Sequence, residues 1–220
     1  MLRQATTLTN SPSVIVRIFK VHANGYISPV TERPIPFSAP MVRAILEGRK
    51  TMTRRVLKWC CEVPKECTIP ECVDGLWYFK VNRCKGSGFF PGSGIPCPYG
   101  QSRDRLWVKE TFRLAHETSE KPKVIYRADN EETWGARWKS SRFMFRKHSR
   151  ITLEITGVRV ERVRDITPDD CRAEGMPEKN NDLGVRYCFG QLWNQINEKR
   201  GYGWDTNCWV WVISFKRIQP

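Results

Sequence analysis

The fold of this 220-residue chain is decided by its final apolar stretch, Cys208-Trp209-Val210-Trp211-Val212-Ile213-Ser214-Phe215. In an extended chain both faces of this stretch would be apolar, which is typical of a strand covered on both sides. A second stretch, 151–163, alternates apolar and polar residues and predicts two strands hinged at Gly157. Most of the predicted elements are strands, and short helices lie between them. We therefore expect an α+β, mainly β fold, with short helices packed around a small barrel.

Three short helices are predicted between the strands. Ser38 can cap the first helix, Pro40 suits its first turn, and apolar residues recur within it at helical spacing. Thr167 and Pro168 mark the start of the second helix in the same way. The helices are expected near 39–47, 168–174 and 189–199, and further strands at 50–57, 76–81, 105–110 and 123–126.

The chain divides unevenly along its length. Residues 1–33 are predicted to be an N-terminal extension, in which prolines between Ile27 and Pro36 favour irregular structure. Residues 34–220 form the predicted domain. Within it, an insert at about 59–101 is rich in cysteine, proline and glycine, and we expect it to be irregular.

The most informative property of the overall composition is its net charge. Thirty-seven lysines and arginines outnumber 23 acidic residues, which gives a net charge of +14 and a pI near 9.6. Basic and aromatic side chains interleave in one stretch, whose candidate nucleic-acid contacts are Trp134, Arg137, Trp138, Lys139, Arg142 and Arg146. Cations bind phosphates and rings stack on bases, so this pattern favours RNA or a modified nucleoside as the partner, with DNA as an alternative. A basic surface that only keeps the protein in solution is the other interpretation.

Composition also bears on compartment and cofactor. No apolar run approaches the ~20 residues that a membrane helix needs, and the N-terminus shows no secretory signal. We expect a cytoplasmic protein without membrane contact, whose nine cysteines are reduced. Paired Cys-x-x-Cys knuckles are missing from the sequence, so we expect no cofactor, with zinc as the alternative. The candidate zinc ligands in the insert are Cys60, Cys61, Cys67, Cys72, Cys84 and Cys97.

Four segments recur together in one protein family. They are Pro36-Phe37-Ser38-Ala39-Pro40-Met41 leading to Gly48-Arg49-Lys50-Thr51-Met52-Thr53-Arg54-Arg55; Pro98-Tyr99-Gly100 through Asp104-Arg105-Leu106-Trp107-Val108-Lys109-Glu110; Ile151-Thr152-Leu153-Glu154-Ile155 through Asp165-Ile166-Thr167 and Ala173-Glu174-Gly175; and Trp209-Val210-Trp211-Val212-Ile213-Ser214-Phe215-Lys216. In this combination the chain resembles the ASCH domain family, in particular its phage and prophage members, over about residues 35–218. The resemblance implies a PUA-like barrel, an RNA- or nucleotide-facing cleft between barrel and helices, and a bacterial host cell as the compartment.

The resemblance also implies a chemistry. Some small members of the family are amidohydrolases that remove the acyl group from N(4)-acetylcytidine with a lysine, a threonine and a glutamate. The family's Gly-Arg-Lys-Thr-x-Thr segment corresponds to Lys50 and Thr53, and its Glu-x-Met context to Glu174. A lysine with a depressed pKa can take the proton of a threonine hydroxyl and so make it a nucleophile. The neighbouring candidate substrate-binding residues are Arg49, Arg54 and Arg55.

The three catalytic candidates imply a local geometry. Lys50 and Thr53 are three residues apart, so a regular strand would point them to opposite faces. We therefore expect Lys50 to leave the turn after Gly48 before regular pairing begins, or the strand to bulge. All three residues are expected at a cleft surface, where replacing them changes stability little.

Two other functions stay open on the sequence. In a non-catalytic RNA- or DNA-binding module, Lys50 and the arginines would bind phosphate and Glu174 would form a salt bridge. In a ribonuclease, Lys50 and its neighbours would stabilise a phosphorane. The chain is much longer than the small amidohydrolases, which favours a larger substrate, or a protein partner bound through the insert or the N-terminal extension.

Overall fold

The computed structural model describes residues 19–21, 27–58, 70–78, 80–82, 87–89, 94–115, 123–129, 137–177 and 181–218. The chain divides into two compact units, Met1–Val30 and Thr31–Pro220. In the first unit, strands β1 (Phe19–Val21) and β2 (Ile27–Pro29) pair antiparallel.

The second unit combines many strands with three α-helices in its described residues. The strands are β3 (Glu32–Pro36), β4 (Met52–Val56), β5 (Glu71–Val73), β6 (Leu76–Tyr78), β7 (Lys80–Asn82), β8 (Ser87–Phe89), β9 (Ile95–Pro96), β10 (Arg105–Lys109), β11 (Phe112–Ala115), β12 (Lys123–Tyr126), β13 (Thr152–Arg162) and β14 (Trp209–Ile218). The helices are α1 (Ala39–Leu46), α2 (Pro168–Ala173) and α3 (Asp182–Asn197). Short 3-10 turns occupy Ser141–Phe143, Arg146–His148, Val163–Asp165, Glu198–Arg200 and Trp204–Thr206.

A five-stranded mixed sheet in the order β3-β10-β13-β14-β4 is the framework of this unit. β3 runs parallel to β10, and the other neighbours pair antiparallel. Smaller sheets are formed by β5-β6-β9, by β7-β8 and by β11-β12. The α+β, mainly β class predicted from the sequence is therefore confirmed. The described strands form separate sheets rather than a closed barrel, so the barrel stays a prediction.

β14 lies inside the large sheet and is buried on both faces, as its sequence predicts. Trp211 and Ile213 pack into one hydrophobic core, to which α1 contributes Val42. Val210 and Val212 point to the other face and pack into a second core with residues of α2 and α3. The sheet therefore separates two cores, and helices cover both of its faces.

β13 corrects one prediction about the strands. The sequence predicts two strands hinged at Gly157, but the chain runs as one strand from Thr152 to Arg162. Its register against β14 shifts between Ile155 and Gly157. A bulge of this kind absorbs one extra residue while the ladder continues on both sides, so the glycine does not end the strand.

β3 lies in a segment that the sequence assigns in part to the extension. Its prolines, Pro34 and Pro36, favour a loop in the sequence, yet the strand pairs with β10 from Glu32 onward. Proline is tolerated there because β3 is an edge strand, on which one row of N–H groups has no partner strand. β3 accordingly belongs to the unit Thr31–Pro220, while the predicted extension over residues 1–33 stays a prediction.

α3 is longer than predicted. It begins at Asp182 instead of 189, and the side chain of Asn181 caps it by accepting a hydrogen bond from the Gly184 N–H at 2.8 Å. Its buried apolar stripe begins at Val185 and continues through Phe189 and Trp193, whereas Leu183 and Tyr187 are exposed. None of the described helices is long and apolar enough to span a membrane.

Candidate active site

A cleft of about 1020 Å³ opens where α1, β4 and α3 approach one another. Aromatic rings from three elements line it, including Phe37, Phe189 and Trp211. Lys50, Thr53 and Glu174 line the same cleft. The structure therefore brings the three catalytic candidates together, although Glu174 is 124 residues from Lys50 in sequence.

Lys50 is positioned by the turn that follows α1. The helix ends at Leu46, and Gly48 adopts a φ of +77°, which favours glycine. The Lys50 N–H then donates to the Ala44 carbonyl at 3.0 Å, and Lys50 forms an isolated β-bridge with Glu174. Regular pairing of β4 with β14 starts only at Met52. Lys50 thus precedes the strand, which is how it shares a cleft with Thr53.

Gly175 allows the two segments to come this close. It follows the last turn of α2 with a φ of +89°. A Cβ at this position would lie 3.0 Å from the Ala44 Cβ and 3.2 Å from the Lys50 Cβ. Both its conformation and its close neighbours therefore require glycine.

Lys50 and Glu174 form a buried ion pair. Lys50 Nζ donates to Glu174 Oε2 at 2.6 Å, to the Glu174 carbonyl at 2.8 Å and to the Met52 carbonyl at 2.8 Å. Lys50, Thr53 and Glu174 are 3%, 4% and 5% exposed. The three residues line the cleft, as expected, but little of each is accessible to solvent.

Burial lowers the pKa of Lys50 below its usual value. The carboxylate of Glu174 opposes this effect, while the guanidinium groups of Arg55 and Arg54 add to it. The sequence leaves open which effect is larger. In the structure desolvation dominates, so the neutral amine is more accessible here than on a protein surface.

Thr53 lies on β4 opposite Ile213 of β14. Within the described structure its hydroxyl makes no hydrogen bond. All three protons of the Lys50 ammonium are directed at Glu174 and Met52, and none at Thr53. Lys50 must therefore turn away from Met52 before it can take a proton from Thr53.

Arg54 contacts Glu174 and so stabilises the Lys50–Glu174 pair. Its side chain is fully buried and bonds to Glu161, and its Nη2 lies 2.6 Å from Asp170 Oδ2. Its Nη1 lies 3.5 Å from Glu174 Oε1. Burial acts to lower the pKa of Arg54, but the carboxylates of Glu174 and Glu161 outweigh it and raise that pKa. Arg54 lines the cleft, and its described contacts are with carboxylates, among them Glu174, which it helps to position.

The partners of Arg54 escape prediction from the sequence. Glu161 on β13 and Asp170 on α2 also bind Arg159, whose Nη2 lies 2.5 Å from Asp170 Oδ2. The only local signal is the Arg-x-Glu alternation at 159–161, which places both side chains on one face of a strand.

Arg55 lies on the face of β4 opposite to Arg54, and it also lines the cleft. Its guanidinium lies 5.1 Å from the Phe37 ring centroid and donates to the Pro36 carbonyl at 2.7 Å. Its buried Nε has no hydrogen-bond partner. Lys58 and Arg200 add two further cations to the lining. Glu174 is the one carboxylate among the described lining residues, so the cleft is strongly cationic.

The other predicted binding residues lie elsewhere. Arg49 is exposed, and it bonds to Glu47 at 2.5 Å and to the Gly175 carbonyl at 3.2 Å. Arg137 is exposed, and the half-buried Trp138 lies 5.8 Å from the Arg113 guanidinium. Trp134 lies outside the described residues. The three remaining residues line a second cavity: Lys139, Arg142 and Arg146.

The proposed zinc ligands fall mainly outside the described structure. Cys60, Cys61, Cys67 and Cys84 are not among the described residues, and Cys72 is exposed. Burial raises the pKa of the Cys97 thiol to about 11. In the described part of the chain, no group of three or more histidine, cysteine or acidic side chains is arranged to hold a metal. Zinc in the insert stays a prediction.

Comparison of the chain with protein-family models, curated proteins and solved structures finds no match.

Proposed function

We propose that this chain is a PUA-like ASCH protein whose cleft binds an N4-acylated cytidine and hydrolyses its acyl group. The observation that carries the proposal is that the buried Lys50–Glu174 pair lines the same large cleft as Thr53, whose hydroxyl makes no hydrogen bond within the described structure. An ion pair removed from water loses much of its Coulombic gain to desolvation, so it is weak evidence for stability alone. A buried pair with a perturbed pKa that faces a cleft is typical of a functional site.

Glu174 supports the choice of an amide substrate. Its Oε1 is buried and accepts no hydrogen bond, and Arg54 Nη1 lies 3.5 Å away as an ion-pair partner. A buried acceptor without any partner costs about 1–3 kcal/mol; the Arg54 charge offsets part of this cost, and a ligand N–H would recover the rest. The amide N–H of an N4-acylated cytosine is a donor of this kind. Phe37 and Tyr99 offer apolar surface for the base in the same cleft.

The residues of the cleft can carry the reaction with all atoms balanced. Thr53 Oγ1 attacks the acyl carbonyl carbon while its proton passes to Lys50 Nζ. The bond between that carbon and N4 then breaks, and Lys50 returns the proton to N4, which leaves as the amino group of cytidine. Water attacks the threonyl ester by the same route and releases the carboxylic acid.

This route needs a neutral Lys50. Burial lowers the pKa of Lys50, so the amine can lose its proton more readily than a lysine on a protein surface. Once neutral, Lys50 Nζ has a lone pair to offer Thr53. Glu174 Oε2, at 2.6 Å from Nζ, orients the amine.

Non-catalytic binding of RNA or DNA is the second candidate. The observation in its favour is that every proton of the Lys50 ammonium is already bonded within the protein. In this candidate function the pair shapes the cleft, and the other cations and the aromatic rings of the lining bind the nucleic acid.

Release of cytidine from N4-acetylcytidine separates the two candidates. We expect turnover by the wild type and a loss of at least about 1000-fold in Thr53→Val, which removes the nucleophile at nearly constant volume. The matched control is Thr51→Val, two residues away, whose side chain is exposed. Absence of turnover by the wild type would leave the binding module, and full activity of Thr53→Val would exclude Thr53 as the nucleophile.

A further inference from the structure

A second cavity of about 690 Å³ lies beside the proposed active site. We call it the aromatic groove, and its main lining residues are Trp107, Phe112, Arg142, Phe143, Phe145 and His148. Its lining adjoins that of the cleft in two segments of the chain. Thr111 and Ser141 line the cleft, and the residues that follow each of them, Phe112 and Arg142, line the groove.

Exposed rings form a stacking surface in this groove. Phe143 and Phe145 are 63% and 68% exposed, which is unusual for phenylalanine on a surface without a ligand. The buried Phe112 stacks on His148, with 5.8 Å between ring centroids and 25° between planes, and His148 contacts Phe145 at 6.4 Å. Phe145 is thus the exposed end of a row of three rings in contact, whose other end, Phe112, is buried.

The backbone beneath these rings is held firmly. Two 3-10 turns, Ser141–Phe143 and Arg146–His148, flank Met144, whose side chain is buried. Lys139 and Phe112 exchange two backbone hydrogen bonds of 2.8 and 3.2 Å. Lys109 Nζ also donates to the Arg142 carbonyl at 2.6 Å. The rings are therefore presented in a fixed arrangement, which lowers the entropy lost when a ligand binds.

The charges of the groove are of one sign. Its four lining cations are Lys109, Lys139, Arg142 and Arg146, and its described lining includes no carboxylate. Arg146 binds Glu32 outside the lining, at 3.0 Å. Within the described structure, the side chains of Lys139 and Arg142 take part in no hydrogen bond or ion pair. Two free cations beside two exposed rings are complementary to phosphates and bases in alternation.

We propose that the aromatic groove binds single-stranded nucleic acid on one side of the nucleotide that enters the cleft. This inference rests on the proposed function of the cleft, and it makes the substrate a residue within a polynucleotide strand. A single strand fits better than a duplex because only unpaired bases present their faces to rings. A protein partner fits less well, because the cores of protein interfaces are depleted in charged residues such as lysine.

Binding of fluorescent decanucleotides, single-stranded and duplex, tests the groove by anisotropy. We expect the wild type to prefer the single strand, and Phe145→Ala to weaken that binding about tenfold, because one base loses its stacking partner. Arg142→Glu should make the negative slope of log K against log [salt] less steep by about 0.7, the value for one phosphate contact on a single strand. The matched controls are Tyr187→Ala, an exposed ring on α3, and Arg164→Glu, an exposed arginine outside both cavities; neither should change binding.

Three results would overturn the inference: no binding of the single strand, equal binding by Phe145→Ala, or a duplex preference. The outcome is separable from that of the cleft. Hydrolysis of free N4-acetylcytidine without strand binding would keep the proposed function and reject the groove. Groove-dependent strand binding without any hydrolysis would keep the groove and reject the proposed function.

Discussion

Replacing Glu174 with glutamine should destabilise the fold as well as the proposed chemistry. The side chains of Lys50 and Glu174 are 1% and 6% exposed and lie 2.6 Å apart. In Glu174→Gln the lysine keeps two carbonyl acceptors but loses the only opposing charge that raises its pKa. Removing one partner of a buried pair costs about 3–5 kcal/mol, and we expect about 3 kcal/mol because the lysine can release its proton. For a chain of this length that is a drop in Tm of about 10 °C.

Urea unfolding followed by tryptophan fluorescence measures this loss, and the chain supplies a matched control. Arg49 and Glu47 form an ion pair at 2.5 Å whose side chains are 46% and 52% exposed. Glu47→Gln should therefore change the free energy of unfolding by less than about 1 kcal/mol. The double variant Lys50→Met, Glu174→Gln removes both charges and should regain about 2 kcal/mol relative to the sum of the single variants. The reasoning fails if Glu174→Gln costs no more than Glu47→Gln, or if the single effects simply add.

Three other predictions follow from the same geometry. Because the pKa of Lys50 is lowered in the folded state, the unfolded chain binds more protons than the folded chain below about pH 10.5. The free energy of unfolding of the wild type should therefore rise relative to that of Lys50→Met as the pH increases toward this value. Urea titrations at several pH values that show the opposite trend would contradict the direction of the pKa shift. Gly175→Ala should lower stability by about 1–3 kcal/mol, through its φ of +89° and its contact with Ala44, and calorimetry showing an unchanged Tm would refute this. If the insert binds zinc, Cys97→Ser should leave the metal content unchanged, because Cys97 packs in the hydrophobic core and, among the described residues, belongs to no group of side chains that could hold a metal. Loss of zinc in elemental analysis of that variant would make Cys97 a ligand.

Local patterns in the sequence predict the elements whose signals are local. β14 is recognisable because Trp209 to Phe215 is apolar at consecutive positions, and the start of α2 because Thr167 and Pro168 suit a helix N-terminus. The side chain of Thr167 accepts from the Asp170 N–H at 3.1 Å, as a capping residue does. β3 escapes prediction because its prolines favour a loop, and only its place at the edge of the sheet makes them acceptable.

The candidate site is predictable in its members but not in its interactions. The family resemblance points to Lys50, Thr53 and Glu174, and the structure places all three on one cleft. Their burial and the contacts of Arg54 with Glu161 and Asp170 depend on side chains more than 100 residues apart. Such contacts produce no periodic pattern in a single sequence. For this reason the sequence predicts Arg54 only as a substrate contact, whereas in the fold it is a buried side chain that contacts Glu161 and Asp170.

Acid-quenched mixing of the wild type with N4-acetylcytidine, followed by mass spectrometry of the peptide that contains Thr53, tests the central claim most directly. We predict an acetyl ester on Thr53 that appears before cytidine accumulates and is absent from Thr53→Val. Cytidine release without any acylated residue, or acylation at another side chain, would contradict the role given to Thr53. If neither cytidine nor an acylated peptide forms, the proposed hydrolase function itself is wrong.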